Sequence, residues 1–192
     1  MAKPRILAFA GSLRRDSWNK KLVKIAAQGA RAAGAEVTEI DLKELPLPVY
    51  DGDIEQAEGL PANVKKLKEI FIAHQGLLIS SPEYNSSISA ALKNTIDWVT
   101  RPAPNEAPLA GFQGKVVSLM AASPGALGGL RGLVTVRSIL GNIGCIVLPD
   151  QVAVSKAHEA FDAEGRLKDA KQLASVEKLG ANAAHTIAKL SG

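Results

Sequence analysis

An unbroken apolar run, Ile6-Leu7-Ala8-Phe9-Ala10, stops at Gly11 and gives way through residues 12–19 to a helical pattern, and this opening decides most of what the chain can become. A continuous apolar run without alternation belongs inside a sheet covered on both faces. A loop running from such a strand into a helix leaves backbone N–H groups unpaired at the helix start, where the helix dipole also favours negative charge. Ser12, Ser17 and Asn19 add neutral donors there, and Arg14 and Arg15 add positive charge. The segment reads as an anion cradle whose natural guest is a phosphate ester.

What the loop lacks narrows the guest. A nucleoside triphosphate loop needs Gly-x-x-x-x-Gly-Lys-Ser/Thr, and neither the second Gly nor the Lys follows Gly11. A dinucleotide fingerprint needs Gly-x-Gly-x-x-Gly, of which only Gly11 is present. Hydroxyl and amide donors around one phosphate suit a monophosphate such as that of FMN. A plainer reading stands beside this one: Ser17 as an ordinary helix N-cap, with the two arginines solvated.

Strand and helix patterns alternate along the rest of the chain. The apolar strand Arg5–Ala10 precedes a helix over residues 20–33 that ends at Gly34, and a shorter, edge-like strand spans 36–42. Residues 45–59, rich in Pro, Asp and Gly, read as loop; Pro61 then opens a helix to about His74. Strands over 77–80, 115–122 and 145–148 follow, with helices over about 89–99, 130–142 and 167–189. Five strands joined by helices imply a parallel α/β sheet with helices on both faces, in one domain covering 1–192.

Composition excludes other classes. With 46% hydrophobic and 22% charged residues the chain is an ordinary globular protein, and 192 residues bury a sizeable core without disulfides or metals. The single cysteine, Cys145, sits in an apolar run and reads as core. No segment reaches the ~20 apolar residues of a membrane span and no signal peptide is evident, so no membrane partner and a cytoplasmic address are expected. The net charge of +4 is scattered and aromatics make up only 4%, which argues against nucleic acid. His74, His158 and His185 stand singly, and no metal site is expected.

In a parallel sheet of this kind ligands bind outside the carboxyl ends of the strands, where strand order reverses. That places three loops together: residues 11–19, residues 81–87 with Pro82, Glu83, Tyr84 and Asn85, and residues 122–129 with Ser123, Pro124, Gly125, Gly128 and Gly129. Asp41, at the second strand's end, reads as a cap of the following turn and not as a ribose ligand.

Taken together, GSLRRDSWN, SPEYNSSISAALKNTIDWVTRP and AASPGALGG resemble the NADPH-dependent FMN reductase family of flavodoxin-like folds, most closely its bacterial quinone and chromate reductase branch. The resemblance implies a doubly wound five-stranded sheet of order 2-1-3-4-5. It implies that Ser12, Arg14, Ser17 and Asn19 hold the FMN phosphate, with Leu13 and Trp18 bordering it. Pro82, Glu83, Tyr84, Asn85 and Ser86 would line the isoalloxazine, Glu83 and Asn85 presenting backbone or side-chain hydrogen bonds to its pyrimidine edge, with Ser123 approaching from the fourth strand's loop. Arg101 would lie by the open face and hold an anionic acceptor or the NADPH phosphate.

The activity implied is hydride transfer from NADPH (or NADH) through FMN to a quinone, chromate or similar small acceptor, in a homo-dimer or homo-tetramer. Two other classes share parts of this pattern. An FMN electron carrier would show no steady NADPH oxidation, and a phosphate-binding module without redox activity would be colourless.

Overall fold

The computed structural model describes residues 3–191. Strands β1 (Arg5–Ala10), β2 (Glu36–Ile40), β3 (Gly76–Ser80), β6 (Val116–Ala122) and β7 (Ile146–Val154) form one parallel sheet in the order β2-β1-β3-β6-β7. This is the 2-1-3-4-5 order, with β6 and β7 as its fourth and fifth strands. Two further short strands, β4 (Glu83–Tyr84) and β5 (Ser87–Ile88), make a separate antiparallel hairpin.

The apolar run of β1 divides by pleat. Ile6, Ala8 and Ala10 face a core completed by helices α1 (Trp18–Ala32) and α7 (Ala170–Leu190). Leu7 and Phe9 face the other core, with α3 (Ala62–Ile72), α4 (Ala90–Val99) and α5 (Leu130–Asn142). Phe71 sits between Phe9 and Phe112, with ring centroids at 5.5 and 5.3 Å. Side chains of this size, fully buried, each contribute about 1.5–3 kcal/mol. Helices α1 and α7 touch backbone to backbone: a Cβ on Gly180 would stand 1.9 Å from the Ala26 carbonyl oxygen, and one on Gly29 would stand 2.0 Å from that of Glu177.

The sequence expectations need correction at four places. Residues 45–59 are not all loop, because α2 (Gly52–Glu58) forms there; Asp51 accepts the Asp53 N–H as its cap. The helix buries none of its residues, so no apolar periodicity marks it. The second strand stops at Ile40, since Asp41 accepts the Lys43 N–H and starts a 3₁₀ turn over Leu42–Glu44. The fifth strand of the sheet does not end at Leu148: Val117 pairs with Val147 but Leu119 with Gln151, so residues around Pro149 bulge and pairing then resumes to Val154. The last helix starts at Ala170, capped by Asp169, and Leu167 instead bridges Phe161 beside the short helix α6 (Ala157–Ala160).

No helix among the described residues is long and apolar enough to cross a membrane.

Candidate active site

The carboxyl ends of β1, β3 and β6 are held in step beyond the strands themselves. The Gly11 N–H reaches the Ser80 carbonyl at 2.9 Å, and the Ser81 N–H reaches that of Met120 at 2.8 Å. Asn19 completes the joint from inside. Its Nδ2 donates to the Ala122 carbonyl at 2.9 Å, and its Oδ1 accepts from Ser80 Oγ at 2.8 Å and from the Ala122 N–H at 3.0 Å. All of these groups are buried, so one amide ties together the ends of three elements.

Above this joint the three expected loops enclose a cleft of about 290 Å³. The first supplies Ser12, Arg14, Ser17, Trp18 and Asn19, the second Pro82, Glu83 and Tyr84, and the third Ala122, Ser123 and Pro124. Its size is at the lower end for small-ligand pockets. A separate cleft of about 470 Å³ lies across the first loop, where Arg15 stands. Four of its charged residues satisfy one another, through Lys20–Asp41 and Lys21–Asp16 pairs at 2.6 Å each.

Local conformation leaves donors free in the first loop. Ser17 occupies the N-cap position of α1 with extended backbone, yet its hydroxyl makes no cap bond, although the residue is only 4% exposed. The first helical bond is from the Lys21 N–H to the Ser17 carbonyl at 3.1 Å, and the amides of Trp18, Asn19 and Lys20 find no acceptor among the described residues. A hydroxyl without a protein partner and a turn of free N–H groups at the positive end of a 15-residue helix fit a phosphate. Arg14 stands over the Trp18 ring, its Cζ 5.5 Å from the centroid.

The second loop is the hairpin β4–β5. Its tip, Asn85 (φ 51°) and Ser86 (φ 64°), is left-handed at both positions, the geometry of a two-residue type I′ turn. Glu83 turns its carboxylate onto α5: Oε1 accepts from Arg131 Nε at 3.0 Å and Oε2 from the Gly132 N–H at 3.0 Å. Burial works to raise the Glu83 carboxyl, but the Gly132 and Arg131 bonds outweigh it and hold it below the usual carboxylate value. In the third loop Gly128 (φ +63°) presses on the 153–155 backbone, where a Cβ would stand 2.7 Å from the Ser155 nitrogen.

Of the twelve residues expected at the cofactor, the structure brings nine to this cleft. Asn85 and Ser86 occupy the hairpin tip outside its lining, and Leu13 faces a neighbouring recess with Leu42 and Leu47. Two of the nine differ in what their side chains do. Asn19 uses its amide on Ser80 and Ala122, and Glu83 uses its carboxylate on α5. Ser80 and Ala122 were not singled out from sequence, although Ser80 is the one polar residue of Leu77-Leu78-Ile79-Ser80.

Arg101 belongs to a different cluster, outside the cleft lining. Its Nε lies 2.8 Å from Glu55 Oε2, its Cζ stands 5.3 Å over the Tyr50 ring, and buried Lys68 donates to its carbonyl. Tyr50 donates to Glu55 at 3.0 Å, a bond that pushes the phenol upward.

Comparison with known proteins points the same way as the cleft. The sequence profile of the family described as NADPH-dependent FMN reductase matches residues 4–159. An NAD(P)H-dependent FMN reductase of Pseudomonas aeruginosa is 36% identical over 168 residues, covering 87% of this chain and 86% of that protein. A quinone reductase of Escherichia coli is 35% identical over 150 residues, covering 76% and 74%. The flavoenzyme NAD(P)H:(acceptor) oxidoreductase FerB of Paracoccus denitrificans superposes with a TM-score of 0.79 at 27% identity, covering 98% of each chain.

Proposed function

The chain belongs to the NADPH-dependent FMN reductase family, and on that premise we propose that it is a cytoplasmic, FMN-dependent NAD(P)H oxidoreductase acting on quinones, chromate or similar small acceptors. Names of relatives support the acceptor class: one is a quinone reductase and another an NAD(P)H-dependent FMN reductase. The observation that carries the proposal is Ser17, a cleft-lining N-cap residue whose hydroxyl caps nothing, followed by the unpaired first-turn amides of α1.

Bound FMN supplies the redox chemistry, accepting a hydride from NAD(P)H and delivering two electrons to the acceptor. The chain's own residues bind and orient. Ser12, Ser17, Arg14 and the first-turn amides of α1 hold the phosphate ester; Asn19 keeps their loop against β3 and β6. Pro82, Tyr84 and the Ser123 loop flank the ring, with Glu83 contributing backbone to the cleft while its side chain holds α5. Arg101, whose Nε is taken by Glu55, keeps its outer guanidinium edge for an anionic acceptor or the phosphate of NADPH. Assembly as a homo-dimer or homo-tetramer is part of the same proposal.

The test is reconstitution with excess FMN, desalting and a visible spectrum, followed by NADPH and NADH oxidation against a panel of quinone, chromate and free flavin compared by kcat/KM. A yellow protein that turns over quinone supports the proposal. A colourless protein after desalting, or a yellow one that oxidises neither nucleotide, overturns it.

A further inference from the structure

The side chain of Glu83 joins the hairpin of residues 83–88 to α5, and we propose that Glu83 is a positioning residue, an N-cap supplied to α5 from a distant strand that holds the ring-side wall of the cleft in place. The functional part of this inference rests on the reading of the cleft as an FMN site.

Helix α5 begins without a cap of its own. Its N-cap position is Gly129, with φ 96° and no side chain to accept the exposed amides of the first turn. Three residues on, at the amide that a capping side chain normally satisfies, the Gly132 N–H donates instead to Glu83 Oε2 at 3.0 Å. Arg131, one position earlier, closes on Oε1 through Nε at 3.0 Å and Nη2 at 2.9 Å. A carboxylate here also meets the positive end of the helix dipole.

Gly132 lets the hairpin and helix approach closely. A Cβ there would stand 3.3 Å from Glu83 Cβ and 3.2 Å from the Ser87 carbonyl oxygen, so the hairpin would have to give by a few tenths of an ångström. Apart from Ile88, which packs against the core, the hairpin has little else to hold its shape. Each strand has two residues, the tip is left-handed at Asn85 and Ser86, and an isolated two-stranded hairpin is marginal in water. The Glu83 side chain, only 9% exposed, is the polar anchor. With both carboxylate oxygens engaged on α5, it is the backbone of Glu83, one of the two contacts expected of it, that is left to shape the cleft.

The phosphate end of the cleft lies on α1, away from this anchor, so loosening the hairpin separates the two ends of the site. Glu83→Ala is expected to raise the FMN dissociation constant about tenfold, as loss of one charge-assisted bond does, in a fluorescence titration. Binding of ribose 5-phosphate, which has the ester and no ring, is expected to stay within twofold. Glu83→Gln keeps an acceptor for the Gly132 N–H and restores most of the affinity. Arg131→Met weakens FMN on its own and adds nothing in the Glu83→Ala background.

Hydrogen exchange on the FMN-free protein supplies a readout that needs no ligand: Glu83→Ala speeds exchange at Gly132 and at residues 84–88 while α7 keeps its protection. Unchanged exchange at those amides overturns the clamp, as does an FMN affinity equal to that of the parent. A parent protein that binds no FMN overturns the proposed function instead, and the exchange data still decide the clamp.

Discussion

Replacing Asn19 with Ala removes three buried hydrogen bonds of 2.8–3.0 Å and strands the Ala122 amide, the Ala122 carbonyl and the Ser80 hydroxyl. At a net worth of about 1 kcal/mol per bond, with a further penalty for buried groups left unpaired, the loss is about 3–5 kcal/mol. For a chain of this size each kcal/mol lowers Tm by roughly 2–4 °C, so the apoprotein is expected to melt roughly 6–20 °C lower. Urea denaturation of parent and variant measures the difference directly.

Asn19→Asp sharpens the test through its sign with pH. The new carboxylate keeps the acceptor for Ser80 and the Ala122 N–H but faces the Ala122 carbonyl with no proton to give. Burial and the Ala122 carbonyl raise its folded pKa above the unfolded value near ~3.9, against the opposing pull of the two accepted bonds and the α1 dipole. The charged form is disfavoured in the fold, so this variant loses stability as pH rises from the unfolded pKa through the raised folded one, relative to Asn19 at each pH. A loss under about 1 kcal/mol for Asn19→Ala, or an Asp variant that tracks the parent across acid pH, would show that the strand ladders alone hold the cleft edge.

Ser17→Ala is expected to leave the apoprotein Tm within a degree or two, because the hydroxyl caps nothing, yet to weaken FMN at least severalfold; an ordinary cap would instead lose about 1 kcal/mol of stability and leave FMN untouched. Gly180→Ala gains helix propensity but sets a Cβ 1.9 Å from the Ala26 oxygen, so α1 and α7 must separate and a net loss of about 1–3 kcal/mol or more is expected in thermal melts. Cys145, its thiol pushed by burial to about 12 against the pull of Lys115 and bonded to the Phe112 carbonyl, is expected to resist thiol reagents at pH 8 until the protein unfolds; rapid native labelling would contradict this. Arg101→Ala should change KM for acceptor or NADPH with FMN still bound, and kinetics identical to the parent would remove Arg101 from the reaction.

Legibility followed burial. The apolar runs of β1 and β3 and the helical spacing of α1 could be read because every residue or one whole face packs inward. Helix α2 could not, since it buries nothing and is set by Asp51 and its contacts alone. The hairpin β4–β5 escaped for a different reason: two paired residues carry no period, and its left-handed tip uses Asn and Ser where Gly would have announced the turn. Past Pro149 the fifth strand resumes only because β6 offers a ladder to rejoin.

The strands, the helix starts and the three-loop cleft followed from the chain itself, because residue type and spacing determine them locally, and the family followed from the resemblance of three loop motifs. Which donors stay free for a ligand did not. Asn19 and Ala122 lie 103 residues apart and Glu83 and Arg131 lie 48 apart, so the bonds that occupy the side chains of Asn19 and Glu83 exist only after the strands have been laid side by side. Arg101 likewise meets Glu55 across 46 residues, and only the packing of α2 beside α4 decides which way its charge is held.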